Sequence, residues 1–204
     1  MDILTSLPMI LGVALIASAS PGPATLAIAA TSMGQGARAG LRLATGVLTG
    51  SLIWSVAAAA GLAALMLRHG WAVEAIRIAG AGYLFWLAFK SARAAWRGGP
   101  PPVAATARGS FRKGLLLHLT NPKAIFFFGA LYAVILTPGQ SPAALGIVVA
   151  AVGAQSAAVF LGYALLFSRA GPMAAYRRAY RGIAALSALA FAGFGLRLLT
   201  ARLS

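Results

Sequence analysis

The chain has no cysteine and very few acidic residues. Its 204 residues include only two carboxylates, Asp2 and Glu74, and charged residues of both signs make up 9% of the total. Soluble globular domains carry about 25% charged residues, so an ordinary soluble domain is excluded. The absence of cysteine excludes disulfides, thiolate chemistry and cysteine-based metal sites. The shortage of carboxylates suits metal cations badly, so we expect no metal ligands and no cofactor.

Hydrophobic residues dominate the sequence instead. They make up 60% of the chain, and the mean hydropathy is +0.86. A run of roughly 20 apolar residues crosses the hydrocarbon core of a bilayer as a helix. The sequence therefore predicts an all-α integral membrane protein that is surrounded by lipid. Its apolar runs divide into six transmembrane helices, at residues 4–33, 39–66, 72–89, 114–136, 143–167 and 183–199.

We expect a single polytopic membrane domain over residues 1–204, built from two halves. The longest polar segment, RGGPPPVAATARGS, separates the third and fourth spans, and its consecutive prolines forbid a helix. It divides the chain into a first repeat at 1–98, a cytoplasmic linker at 99–113 and a second repeat at 114–204. Each repeat holds three spans.

The net charge of +15 is better explained by membrane orientation than by nucleic acid, and no nucleic-acid partner is expected. Lys and Arg are spread over short loops between apolar runs. Loops one–two, three–four and five–six hold 12 of these residues, against 4 on the opposite side. Cytoplasmic loops are enriched in Lys and Arg, so these three loops face the cytoplasm and both termini face the periplasm of a bacterial inner membrane. The protein could act alone or as a homodimer.

The N-terminal apolar run is expected to stay attached to the protein. Residues 17–19, Ala-Ser-Ala, resemble a signal-peptidase site. However, the segment before them contains Asp2 and no Lys or Arg, and the apolar run continues well past the site. Both features are atypical of a cleaved signal peptide.

Two proline-containing segments interrupt apolar runs where lipid offers no hydrogen bonds. Pro21 and Pro23 lie in the first span and Pro122 lies in the fourth, about 100 residues later. A half with three spans crosses the membrane an odd number of times, so the second half enters from the opposite side. The halves are therefore inverted repeats, and the breaks occupy matching positions. Pro21 lies about 18 Å and Pro122 about 12 Å from the cytoplasmic side. Freed backbone groups need a protein partner or a water-lined cavity, so the breaks predict a substrate site, with simple proline kinks as the alternative.

Lys123 is the one basic residue well inside a predicted span. A charge at this depth is costly and indicates function by default, and we expect its ammonium to attract a substrate carboxylate. Snorkelling to the cytoplasmic surface is the alternative. Histidine side chains ordinarily titrate near neutral pH, so His118 is a candidate for proton coupling, with a packing role as its alternative. Broken-helix N-termini would add amide donors. The predicted substrate-binding residues are Pro21, Gly22, Pro23, Thr25, Asn121, Pro122 and Lys123.

Around these residues the chain looks like a known family. The segments SPGPATLAIAATSMGQGARAGLRLATGVLTG (20–50) and FRKGLLLHLTNPKAIFFFGALY (111–132), and more loosely GYLFWLAFKSAR (82–93), resemble the LysE/RhtB family of bacterial amino-acid exporters. Length, six-span pattern and basic central loop agree, so the resemblance covers essentially the whole chain. It implies a secondary transporter that exports amino acids or their derivatives and uses the proton-motive force.

Two positions depart from the family pattern. Members commonly have Asn after Pro-Gly-Pro, where this chain has Ala24, and many have Asp where this chain has Ser51. Both departures remove polar groups near the expected cavity. They leave the proton route and the substrate class open.

Three other functions were weighed against export of amino acids. An enzyme using His118, Asn121 and Lys123 fits poorly, because hydrolytic or transfer chemistry needs an activated nucleophile or a metal with several ligands. A transporter of another small solute, such as a metal cation, is a poor fit, because a chain with only two acidic residues is badly suited to binding cations. The third alternative is a membrane partner subunit that does not itself transport.

Overall fold

The computed structural model describes residues 6–98, 110–136, 140–169 and 171–200, and these segments contain helices and no strand. The fold is therefore all-α over the described part of the chain, as the sequence predicts. The helices are α1 (Leu7–Ala19), α2 (Pro23–Arg68), α3 (Gly70–Arg97), α4 (Phe111–Leu119), α5 (Pro122–Ile135), α6 (Pro142–Leu166) and α7 (Pro172–Thr200).

Prolines and short polar side chains determine where these helices begin. Pro23 and Pro122 each open a helix, α2 and α5, at a position where the missing N–H costs nothing. Ser110 and Ser141 cap α4 and α6 by accepting hydrogen bonds from the amides of the first turn. The prolines of the two breaks thus start new helices and do not kink continuous ones.

Helix α2 joins the end of the predicted first span to the predicted second span. A connecting turn was expected between residues 33 and 39, but the helix is interrupted there at Gly36 alone, with φ of 81° and ψ of 174°. This backbone conformation favours glycine, because glycine has no Cβ that would clash there. One glycine therefore turns the chain between two helical arms, residues 23–35 and 37–68.

Three helices extend beyond the predicted membrane spans. Helix α7 begins at Pro172, before the predicted sixth span at 183, and no proline interrupts residues 173–182. Helix α3 continues to Arg97, past the predicted end at 89. Helix α4 begins at Phe111, inside the segment predicted as linker 99–113, because Ser110 caps it. Residues 99–109 of that linker lie outside the described residues.

Length and composition identify fewer membrane-crossing helices than the six predicted. In the described chain, three segments are long and apolar enough, at Pro23–Leu62, Pro142–Leu166 and Ala174–Thr200. The pair α4 and α5, bent by 59°, is a fourth if it forms one span. Helix α1 is apolar but has only 13 residues, and α3 contains five charged residues. The six-span prediction is therefore not established by this criterion.

The helices pack around α5, which lies at the centre of the molecule. Eight of its 14 residues are buried, and Tyr132 is fully enclosed. Helix α3 packs against both α5 and α7, while α2 packs against α4, α5 and α6. Ser20 and Asn121, one at each break, are buried, whereas Pro23 and Pro122 are exposed.

Candidate functional site

The first break, between α1 and α2, is stabilised by side chains from both halves of the chain. The hydroxyl of Tyr163 on α6 donates to the carbonyl of Ala19 at 2.8 Å. The hydroxyl of Thr25 accepts from the Gly22 amide at 3.0 Å and lies 3.3 Å from the carbonyl of Ser20 and 3.2 Å from that of Gly22. Backbone groups that lipid could not satisfy therefore have partners within the protein.

The second break, between α4 and α5, is closed by Asn121. This buried side chain accepts from the Lys123 amide at 3.1 Å. The backbone carbonyl of Asn121 accepts from the amides of Ala124 and Ile125 at 2.9 and 3.2 Å. With Pro122 at the first position, these bonds occupy the amides of the first turn. The N-terminus of α5 thus keeps its positive dipole end but offers few free donors, contrary to the sequence-based expectation.

Lys123 joins the two breaks. Its Nζ donates to the carbonyl of Ser20 at 3.2 Å and also to the Ser20 hydroxyl, across 103 positions of sequence. The same ammonium lies 5.7 Å from the centre of the Phe191 ring on α7. Lys123 therefore points into the protein, and the snorkelling alternative does not describe it.

Two cavities adjoin the breaks. A cleft of about 340 Å³ runs past Tyr83, Trp86 and Lys90 of α3 and past Tyr180 and Phe191 of α7. A smaller cavity of about 40 Å³ is lined by Ser51, Ser156, Phe160 and His118. Gly22, Asn121 and Lys123 line both of them. The broken segments thus form the wall that separates the cleft from the small cavity.

The size of each cavity limits what it can hold. A water molecule needs about 10–15 Å³ by this measure, so the small cavity has room for a few waters. The cleft falls within the range of about 300–1,000 Å³ that is usual for small-molecule sites. A solute the size of an amino acid therefore fits the cleft, whereas the small cavity is large enough only for water or one end of a solute.

His118 lies in the wall of the small cavity with no hydrogen-bond partner. Its side chain is buried, and neither ring nitrogen has a partner among the described residues. The ring packs edge-on against Phe160 at 5.9 Å between ring centres, and a Cβ added at Gly50 would be 2.9 Å from the Cβ of His118. An orphaned polar group in a cavity indicates a water, ion or ligand partner.

The structure brings all the residues predicted for substrate binding to these two breaks. Pro21, Pro23 and Pro122 line the cleft, and Thr25 lines the small cavity, with its hydroxyl engaged by backbone. Ala24 and Ser51, where the chain departs from the family pattern, both line the small cavity and are buried. That cavity is therefore less polar than the family pattern would make it.

Sequence reasoning missed two residues that contribute to the site. Ser20 accepts the Lys123 ammonium, and Tyr163 satisfies the end of α1. Ser20 could have been predicted, because it is a polar residue next to Pro21 and such residues often bind the backbone groups that a helix break leaves unpaired. Nothing local distinguishes Tyr163 from other aromatic residues of an apolar helix. Outside the site, Glu74 pairs with Arg77 one turn along α3.

Comparison with known proteins agrees with the resemblance seen in the sequence. The family model described as LysE type translocator matches residues 15–202. An uncharacterized membrane protein of Pseudomonas aeruginosa is 36% identical over 90% of each chain. The threonine efflux protein of Escherichia coli is 28% identical over 92% of this chain and 94% of its own. The homoserine/homoserine lactone efflux protein of Salmonella typhimurium is 35% identical over 74% of this chain and 75% of its own. No solved structure matches the chain.

Proposed function

Because this chain belongs to the LysE type translocator family, we propose that it is a secondary active exporter of amino acids or amino-acid derivatives across the bacterial inner membrane. The family is one of translocators, which supports a membrane transporter over an enzyme. Two relatives bear the names threonine efflux protein and homoserine/homoserine lactone efflux protein, which supports a solute of the amino-acid class.

The observation that carries this proposal is that no carboxylate of the described residues pairs with the Lys123 ammonium. Glu74 pairs with Arg77, and the other acidic residue, Asp2, lies outside the described residues. An intramembrane cation whose hydrogen-bond partner in the described chain is Ser20, and which faces a solute-sized cleft, favours an anionic group on the solute, and amino acids carry one.

The helix pairings support two inverted three-span repeats. In this arrangement α1 and the first arm of α2 form one broken span, and α4 and α5 form its counterpart. The second spans of the two halves, in α2 and α6, then pack against each other, and so do the third spans, α3 and α7. The contact of α4 with α2 in turn corresponds to the contact of α1 with α6. This is the pattern that a pseudo-two-fold axis in the membrane plane produces. We propose that the repeats comprise residues 1–98 and 114–204, with the linker 99–113 between them.

The distribution of aromatic and basic residues supports counting α3 as a span. Trp71 and Trp96, near its two ends, are exposed to 74% and 86%. They are separated by 25 positions, or about 38 Å of helix, which matches Trp positions at both membrane interfaces. The 12-to-4 bias of Lys and Arg supports a cytoplasmic location for the Trp96 end and periplasmic termini. Lys90 and Tyr180 in the cleft wall then place its mouth toward the cytoplasm.

We further propose that His118 carries the coupling proton, since no carboxylate of the described residues lines either cavity. Of the residues lining the small cavity, His118 and Lys123 are the two ionisable ones. Histidine changes charge near neutral pH, and its unpartnered nitrogens adjoin a volume large enough for water. A proton on His118 would compete electrostatically with the Lys123 charge, which links protonation to the site.

Flux into liposomes tests the proposed function directly. Purified protein is reconstituted and the movement of a panel of labelled amino acids is measured with and without an imposed pH gradient. Saturable flux of at least one amino acid, increased by the gradient, is the expected result. A non-transporting partner subunit would give the same leak as empty liposomes for every amino acid. A carrier of another solute would give flux of inorganic cations or sugars in the same assay but of no amino acid.

A further inference from the structure

Ser20 is built to accept hydrogen bonds from a cation. Its hydroxyl donates to the carbonyl of Ala17 at 3.1 Å, so the remaining lone pairs of Oγ point elsewhere. Both Oγ and the Ser20 carbonyl accept from the ammonium of Lys123. Ser20 is buried, and it follows directly on the C-terminal end of α1, where the helix dipole is negative. These features together form a small subsite for an ammonium group.

An anion subsite adjoins this cation subsite. Helix α2 begins three residues after α1 ends, and its first intrahelical bond runs from the Leu26 amide to the Gly22 carbonyl. The amides of Ala24 and Thr25 therefore precede the helical ladder, at the positive end of the α2 dipole. The negative end of one helix and the positive end of the next lie on either side of Gly22. An added Cβ on Gly22 would be 3.3 Å from the Lys123 ammonium, so glycine leaves room there.

A second observation shows that the surrounding wall has polar groups without partners. His118 lines the small cavity together with Gly22 and Lys123, and neither of its ring nitrogens is bonded within the described part of the chain. A ligand group at Gly22 would therefore meet both the Lys123 ammonium and an unpaired imidazole.

We propose that Ser20 is the subsite for the α-ammonium group of the solute, and that the Lys123 ammonium occupies this subsite in the conformation described. This inference rests on the proposed function and specifies how it recognises its solute. An entering α-amino acid places its own ammonium on Ser20. Lys123 then turns to the solute carboxylate, which also faces the amides of Ala24 and Thr25. The solute side chain extends into the cleft, which holds about 340 Å³. The solute class is therefore α-amino acids with both the amino and the carboxyl group free.

Solute derivatives that lack one of the two charges test the proposal. L-threonine and L-leucine are each supplied as the free amino acid, as the methyl ester, which has no carboxylate, and as the N-acetyl derivative, which has no ammonium. Competition against labelled free amino acid is measured in proteoliposomes. Since a hydrogen bond to a charged group is lost in each case, both derivatives are expected to compete about tenfold or more weakly than the free amino acid.

Variants at Ser20 separate a solute-binding role from a structural one. Ser20→Ala is expected to raise the KM for the free amino acid about tenfold and to leave competition by the N-acetyl derivative unchanged, because that derivative has no ammonium to place. Ser20→Thr keeps the hydroxyl and should restore the wild-type KM. Ser168→Ala is the control, because this exposed hydroxyl lies just after α6, away from both breaks, and donates to the carbonyl of Leu165. Each variant is checked for a monodisperse peak in detergent.

Three results would overturn the proposal. In the first, the N-acetyl derivative competes as well as the free amino acid in wild-type protein. In the second, Ser20→Ala weakens all three solute forms equally, as a distorted break would do. In both cases flux of free amino acids persists and the proposed function stands. In the third, no amino acid in any form is transported or competes, and the proposed function falls together with the subsite.

Discussion

At the scale of single residues, Lys123 carries the main functional argument. Its ammonium is held by Ser20 and faces a cleft large enough for a solute. Lys123→Met keeps the apolar stem but removes the charge, and we expect solute binding to weaken by about 1.5–3 kcal/mol, or roughly tenfold to a hundredfold. Lys123→Arg keeps the charge with a larger, forked head and is expected to keep part of the flux. Flux in liposomes, normalised to inserted protein, measures both. Full flux from Lys123→Met would mean that Lys123 only closes the first break.

His118 gives a second prediction at this scale. His118→Gln keeps a polar side chain of similar reach but cannot take up a proton near neutral pH. If His118 carries the coupling proton, accumulation driven by a pH gradient should fall to the level without a gradient, while exchange of labelled for unlabelled solute continues. His69→Gln is the matched control, because the other histidine of the chain is exposed between α2 and α3. Unchanged gradient-driven accumulation by His118→Gln would show that His118 is a packing residue.

At the scale of secondary structure, two helix pairs depend on glycine. Gly46 of α2 lies against the carbonyl of Phe111, and Gly114 of α4 lies against the carbonyl of Leu43, so that a Cβ at either position would overlap backbone. Gly46 thus contacts α4, and Gly50, one turn later in α2, contacts His118. Close approach of α2 and α4 holds the helix that leads into the second break.

Removing that close approach should destabilise the protein. Gly46→Ala places a methyl group against a backbone carbonyl, which has no side chain to move aside, and overpacking of this kind costs about 1–3 kcal/mol. Gly61→Ala, in the same helix, meets open space and should be neutral or slightly stabilising. Thermal unfolding in detergent, followed by loss of the monodisperse peak, ranks the two variants. An apparent Tm of Gly46→Ala equal to that of the wild type would mean that α2 and α4 can separate at no cost.

At the scale of the whole molecule, the outer surface is apolar and the charges are grouped. Leu189 on α7 exposes 73% of its side chain, and large apolar residues of α2, α3 and α6 are exposed as well. Lipid covers such a surface in a membrane protein, so it needs no protein partner. Three of the five charged residues of α3 have partners, since Glu74 pairs with Arg77 and Lys90 lies 4.4 Å from the centre of the Trp86 ring.

Labelling of introduced cysteines can test the orientation of the chain, because the native sequence has no cysteine that would also react. We expect Ser204→Cys to react with a membrane-impermeant maleimide in intact spheroplasts, since the charge bias predicts a periplasmic C-terminus. Ser168→Cys lies in the loop between α6 and α7 and should react only after the membrane is permeabilised. The reverse pattern of labelling would invert the proposed topology and turn the mouth of the cleft toward the periplasm.

The sequence by itself determined the class of the protein, the location of both breaks and the family. These properties are local, because hydropathy is read from runs of residues and a proline or glycine acts on its own backbone. The sequence was enough to identify a candidate site from Lys123, Asn121 and the segment around Pro21. The boundaries of α3 and α7 were less predictable, because helices continue beyond the bilayer until a capping or breaking residue ends them.

Only the tertiary structure decided which groups satisfy the broken backbone. Ser20 meets Lys123 across 103 positions, and Tyr163 meets Ala19 across 144, so no local pattern links them. Their contacts depend on how the two halves pack around α5, which is a property of many side chains at once. The same packing leaves the nitrogens of His118 without partners in the described chain and divides the cleft from the small cavity. The sequence could therefore identify the residues of the site, but their partners follow from distances that exist only in the folded chain.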